Sequence, residues 1–143
     1  MNPYLQLRNS FQFLECAVRQ KDTLSRCRGQ PQSSAGRNPE SALRDYVFCL
    51  MLVSTVSQLE ADIEKLSGIP GLHQTDKLAP RLRILRDHYG IANTTYDAVD
   101  RIRDARNDFV HNRSIKVEAG CTKGQMAGII VTFLQLCRHP DYQ

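Results

Sequence analysis

The chain has 143 residues, 41% hydrophobic and 24% charged, with a formal net charge of +4. That length suits one compact domain, residues 1–143, whose core needs neither metal nor disulfide staples, and the composition excludes a wholly disordered chain. The charge is a modest bias towards anionic partners and no nucleic-acid signature by itself.

Apolar residues recur at helical spacing along most of the chain, and no period-2 strand pattern or hairpin turn is found. Helix 1 is expected to start at Asn2, with Pro3 at the first helical position. Its apolar stripe is Tyr4, Leu7, Phe11, Leu14 and Val18, and it ends near Arg28 and Gly29. Residues 29–39, "GQPQSSAGRNP", read as a polar loop. Helix 2 has Asn38 as its N-cap and Pro39 after it, and runs to about Ser67. Its middle, residues 46–53, is apolar on all sides, so it is buried on more than one side, one of which is expected to face a second subunit.

Helix 3 is expected over residues 75–89, stopped by Gly90, and carries Arg81, Arg83 and Arg86. Helix 4 starts near residues 93–95 and runs to about His111. Helix 5 covers about 122–138, with Met126, Ile129, Ile130, Phe133 and Cys137 inward and Pro140 ending it. The expected fold is all-α, an antiparallel bundle of four to five helices with short connections.

Cysteines stand at 16, 27, 49, 121 and 137. The number is odd, no C-x-x-C occurs, and buried free thiols in a reducing compartment are expected. The N-terminus has no basic head followed by an apolar run, so no signal peptide is expected. The longest apolar run, 46–53, is far short of the ~20 residues that span a bilayer. A cytoplasmic location and no membrane contact are therefore expected.

Helix 4 carries the chemistry. With Arg106 at zero and 100° per residue, Ile102 falls at about −40°, Phe109 at about −60°, Val99 at about +20° and Val110 at about +40°. Arg106 is then the centre of the apolar arc, where a permanent charge is costly unless paired or facing a wet interface. Glu60, Asp62 and Glu64 on helix 2 are possible partners. Beside Arg106 lies a polar flank, with Arg103 at about 60°, Asn107 at about 100°, Asp100 at about 120°, His111 at about 140° and Asp104 at about 160°. Asn107 stands one turn before His111 and can orient its imidazole. The negative end of the helix dipole favours the imidazolium form of His111, a candidate proton shuttle.

Taken singly, such an arginine is a structural ion pair and such a histidine a helix-end residue; together with the flank they mark a site. Asp108 and His111 form D-x-x-H, but a di-metal carboxylate site needs a second copy on another helix, and "RDHYG" does not supply one. No phosphate-loop, dinucleotide or nucleophile-elbow motif occurs, and aromatics do not interleave with basic residues. No metal or other cofactor is expected.

The stretch "RNDFVH", residues 106–111, resembles the R-x(4–6)-H motif of HEPN domains, in the form where a polar residue follows the arginine. The preceding "DRIRDA" and following "NRS" resemble HEPN sequences too. The resemblance implies a bundle of four to five helices with the motif late in the chain on a long helix. It implies a metal-independent endoribonuclease acting as a homodimer, in which the motif helices of two protomers meet through helices 2 and 4 and line one cleft for RNA. Arg106 would then stabilise negative charge on phosphorus and His111 would move the proton. Asn107 would hold His111 or touch phosphate, and Arg103 and Arg113 would hold neighbouring phosphates.

Many members of that family are toxins or defence effectors paired with an antitoxin or regulatory protein. In one such group the histidine is followed by x-Tyr, a modified tyrosine; here Asn112 and Arg113 stand there, so that modification is not implied. The competing expectations are a non-catalytic HEPN-like module that binds RNA or a partner protein, and a helical scaffold in which Arg106 is a structural ion pair.

Overall fold

The computed structural model describes residues 2–27 and 39–143, with side chains over 2–20 and 41–143. The described residues form five α-helices and two 310 turns, without a strand among them. The helices are α1 Pro3–Cys27, α2 Pro39–Glu64, α3 Leu78–Tyr89, α4 Asn93–Asn112 and α5 Lys123–Leu136. They pack against one another as an all-helical bundle.

Local chemistry sets most helix ends. Asn2 accepts the Tyr4 amide through Oδ1 at 2.9 Å, just before α1, as expected of a cap with proline at the first helical position. Gly90 closes α3 in the left-handed region, φ 64°, and its amide and that of Ile91 donate to the Arg86 carbonyl. Thr122 and Gln125 form a reciprocal capping box that starts α5 one residue later than expected. The expected N-cap at Asn38, the end of helix 1 at 28–29 and the loop over 29–38 lie outside the described residues.

Two boundaries differ from expectation. Thr75 is extended and outside α3: its Oγ1 accepts the Lys77 amide and its carbonyl accepts Arg81 Nε. The helix therefore begins at Leu78, after a 310 turn, Leu72–Gln74. α2 stops at Glu64 because its next two amides, of Lys65 and Leu66, bond three residues back in a tightened turn. α4 starts at Asn93, within the expected range, although Ala92 before it makes no side-chain cap.

The central helix is α2, packed against α1, α4 and α5. Val47, Cys49, Met51, Leu52, Val56, Leu59 and Ile63 are buried, in keeping with an apolar surface covered from several sides. Ser41–Glu64 is long and apolar enough, by length and composition, to cross a membrane, and half of its most apolar window is buried inside the bundle. From α5, Met126, Ile130, Phe133 and Cys137 join the core and Ile129 is half-buried. The stripe of α1 is buried fully only at Tyr4; Leu7, Phe11 and Val18 are half-buried and Leu14 is exposed.

The thiols divide. Cys49 and Cys137 are buried and free, Cys121 is half-buried, and Cys16 is exposed, which corrects the expectation for that residue. The side chain of Cys27 lies outside the description. Burial pushes the thiols of Cys49 and Cys121 up and that of Cys137 to about 12, so none of the three is an activated nucleophile.

The acidic end of α2 distributes itself among its neighbours. Residues 60 and 64 lie about 40° apart on a helix and residue 62 about 200° from the first. Accordingly Glu60 meets Arg106 on α4 and Glu64 meets Arg81 on α3, while Asp62 turns to the opposite side. There it accepts the hydroxyls of Tyr4 at 2.7 Å and Tyr142 at 2.5 Å, with Gln58 Nε2 at 3.2 Å on its other oxygen. The 310 turn Pro140–Tyr142 brings Tyr142 back to this point, so one carboxylate ties α2 to both ends of the described chain.

Candidate functional site

The motif helix α4 buries Val99, Ile102 and Ala105, and half-buries Phe109. The ring of Phe109 meets Tyr46 of α2 edge to face, centroids 5.8 Å apart, which joins the end of α4 to the start of α2. Val110, placed within the apolar arc by periodicity, is 48% exposed. The buried arc is therefore centred about 45° to one side of Arg106. Arg106 stands at the edge of the packed face rather than at its centre.

That position leaves Arg106 half-buried, its side chain 23% exposed, with Nη2 3.4 Å from Glu60 Oε1. Of the three carboxylates named as possible partners, Glu60 is the one it meets. Its Nε is shielded from solvent and has no hydrogen-bond partner among the described residues. A guanidinium presents its N–H groups in a rigid fork suited to two oxygens at once, and one oxygen at 3.4 Å uses little of it.

The other site residues fall around it. Arg103 is turned along its own helix, with Nε 2.8 Å from Asp100 and an Nη 3.8 Å from Asp104. Asn107 is half-buried and His111 exposed in the last turn. No hydrogen bond joins them, so the structure does not bear out an orienting contact. Asp108 accepts Nδ2 of Asn112 at 3.0 Å, which occupies the aspartate of the D-x-x-H pattern. Arg113 follows α4 in the left-handed region, φ 54°, with its side chain exposed. The segment beyond is pinned by Cys49, whose thiol donates to the Ile115 carbonyl at 3.5 Å.

Arg106 and His111 are separated by about 7.5 Å along the helix axis and about 140° around it. Within one chain the two side chains leave the helix in divergent directions. Leu43, Tyr46 and Leu50 on α2, spaced three and four apart, are exposed, as is Val110 on α4, next in sequence to the Phe109 that meets Tyr46.

A second cluster escaped the sequence analysis. Asp62, His139 and Asp141 bring possible metal-ligating atoms within 4.8 Å of one another. Two of the three are already engaged in hydrogen bonds. His139 donates from Nε2 to the Asp62 carbonyl at 2.9 Å and accepts the Asp141 amide at Nδ1, and both Asp62 oxygens accept hydrogen bonds. Asp62 and His139 thus form a structural hub in which both histidine nitrogens are committed, while the Asp141 carboxylate lies exposed beside it. The sequence signal that could have found it is the pair of tyrosines near the two chain ends, together with an aspartate at an otherwise buried position of α2.

No family model matches this chain, and neither the curated proteins nor the solved structures contain a match.

Proposed function

We propose that this protein is a metal-independent endoribonuclease of the HEPN type, a toxin or defence effector of the cytoplasm that works as a homodimer. The observation that carries the reading is Arg106: an incompletely paired guanidinium at the edge of the packed face of a late helix, followed by an exposed histidine. The divergence of Arg106 from His111 on one helix favours a composite cleft, in which each phosphate meets the arginine of one protomer and the histidine of the other. The exposed apolar residues Leu43, Tyr46 and Leu50 of α2 and Val110 of α4 are those through which two copies would pair.

The reaction needs no cofactor. The ribose 2′-oxygen forms a bond to its own phosphorus while the bond from phosphorus to the 5′-oxygen breaks. The products are a 2′,3′-cyclic phosphate and a 5′-hydroxyl. His111 takes the 2′-proton or delivers one to the departing 5′-oxygen. Arg106 stabilises the charge that develops on the phosphoryl oxygens. Asn107 and Arg113 lie beside that path as contacts for imidazole and phosphate. Arg103 contributes only after leaving Asp100.

The test is RNA cleavage in excess EDTA by wild type, Arg106→Ala and His111→Ala, with product ends analysed. Cyclic-phosphate ends from wild type alone support the reading, and equal activity of the variants overturns it. A second reading is favoured by the missing Asn107–His111 bond and by the carboxylate partners of Arg103 and Arg106. These suit a non-catalytic module that binds RNA or a regulatory protein. It predicts salt-sensitive RNA binding by a folded dimer without any cleaved product.

A further inference from the structure

We propose that Glu60 is a built-in competitor for the phosphate that Arg106 takes, so that α2 sets how readily the site accepts an anion. This rests on the reading of Arg106 as the phosphate-holding residue.

The bundle itself shows what committed arginine pairs look like. Arg81 is 9% exposed and uses two nitrogens, one on Glu64 and one on the Thr75 carbonyl at 2.7 Å. Arg103 holds Asp100 through Nε at 2.8 Å. Arg106 differs from both: it has one contact, 3.4 Å long, and its Nε is left without a partner among the described residues. A buried N–H with no acceptor is costly, and no other described group supplies one here.

The partner is also free to leave. The Glu60 side chain is 43% exposed, so its carboxylate can rotate into water without losing solvation. A phosphate diester offers two non-bridging oxygens at the spacing of two guanidinium N–H groups. A diester that replaces Glu60 at Nη2 brings a second oxygen on the Nε side of the same fork, whereas Glu60 in its present pose meets Nη2 alone. Weakly held monovalent anions would not displace Glu60, but a diester anchored at neighbouring nucleotides would. The carboxylate thus keeps the site electrically quiet and makes occupation depend on an extended polyanion.

The probe is a fluorescein-labelled single-stranded 2′-O-methyl oligoribonucleotide, which binds but cannot be cut because its attacking oxygen is blocked. Affinity is read by anisotropy at fixed salt for wild type, Glu60→Gln, Glu118→Gln, Arg106→Ala and the Glu60→Gln/Arg106→Ala double variant. Glu118 is exposed, and its substitution changes the net charge by the same amount. Glu60→Gln is expected to tighten binding up to about fivefold beyond Glu118→Gln, the range of an exposed ion pair, and to lose that gain in the double variant. Equal gains in Glu60→Gln and Glu118→Gln, with Arg106→Ala still weakening binding, overturn the competitor and leave the phosphate reading standing. Binding that is indifferent to Arg106→Ala, or no binding by wild type and Glu60→Gln alike, overturns both.

Discussion

Replacing Tyr4 by phenylalanine tests the hub on which the bundle closes. The ring and its packing against Tyr142, centroids 5.7 Å apart, are preserved, and only the hydroxyl is removed. That hydroxyl donates to Asp62, a carboxylate 1% exposed, at 2.7 Å. A hydrogen bond to a charged group contributes about 1.5–3 kcal/mol, and its loss leaves a buried oxygen short of a donor. A cost of about 2 kcal/mol, at about 3 °C per kcal/mol for a domain of this size, lowers Tm by about 6 °C.

The hub also sets an alkaline limit. Burial first, and the Asp62 carboxylate second, raise the Tyr4 and Tyr142 phenols well above their ordinary value of 10. In the unfolded chain they lose protons near pH 10, whereas in the folded chain they do not. The stability they contribute is therefore full below pH 10 and falls as the pH rises above it, by up to about 1.4 kcal/mol per pH unit for Tyr4. Thermal unfolding at pH 7 reads the first effect, and urea unfolding of wild type and Tyr4→Phe from pH 7 to 11 reads the second. The variant should be weaker at pH 7 and lose stability less steeply above pH 10. A Tm within about 1 °C of wild type, against about 6 °C expected, together with an unchanged alkaline slope, would refute the reasoning.

Arg81→Ala removes the tie from α3 to Glu64 and to the Thr75 carbonyl and should cost about 2 kcal/mol, with faster amide exchange in the turn Leu72–Gln74. Arg113→Gly relieves a non-glycine residue held at φ 54°; the denaturant midpoint should rise by the equivalent of about 1 kcal/mol with the slope unchanged. If Arg113 also holds phosphate, the same variant binds RNA more weakly. Alkylation followed by mass spectrometry should modify Cys16 ahead of Cys49, Cys121 and Cys137, since the last is buried with its thiol pushed up to about 12. Modification of Cys137 at the same rate as Cys16 would show that the α5 end of the core opens freely.

Much of the secondary structure was legible because its determinants act within a few residues. Pro3 and Gly90 mark a start and a stop that the structure keeps, and the inward residues of α5 follow from their spacing. Thr75 was not legible in the same way. Its side chain and carbonyl are used by Lys77 and Arg81, and a helical pattern does not reveal that competition. The motif residues were all identifiable on α4, but their environment was not. Val110 is apolar and exposed while Ala105 is buried, so the buried arc is shifted to one side of the arc read from the sequence.

By itself, the sequence determined that this is an all-helical chain, where most of its helices begin and end, and that one arginine lies close to the packed face of its fourth helix. Only the tertiary structure decided that Glu60, and neither Asp62 nor Glu64, meets that arginine, and that Asp62 instead gathers tyrosines 58 and 80 positions away. The reason is one of range. Caps, turns and amphipathic period are settled by neighbours within about one helical turn. Which carboxylate faces which cation depends on where two helices cross and how each is rotated, and those are fixed by the packing of the whole core.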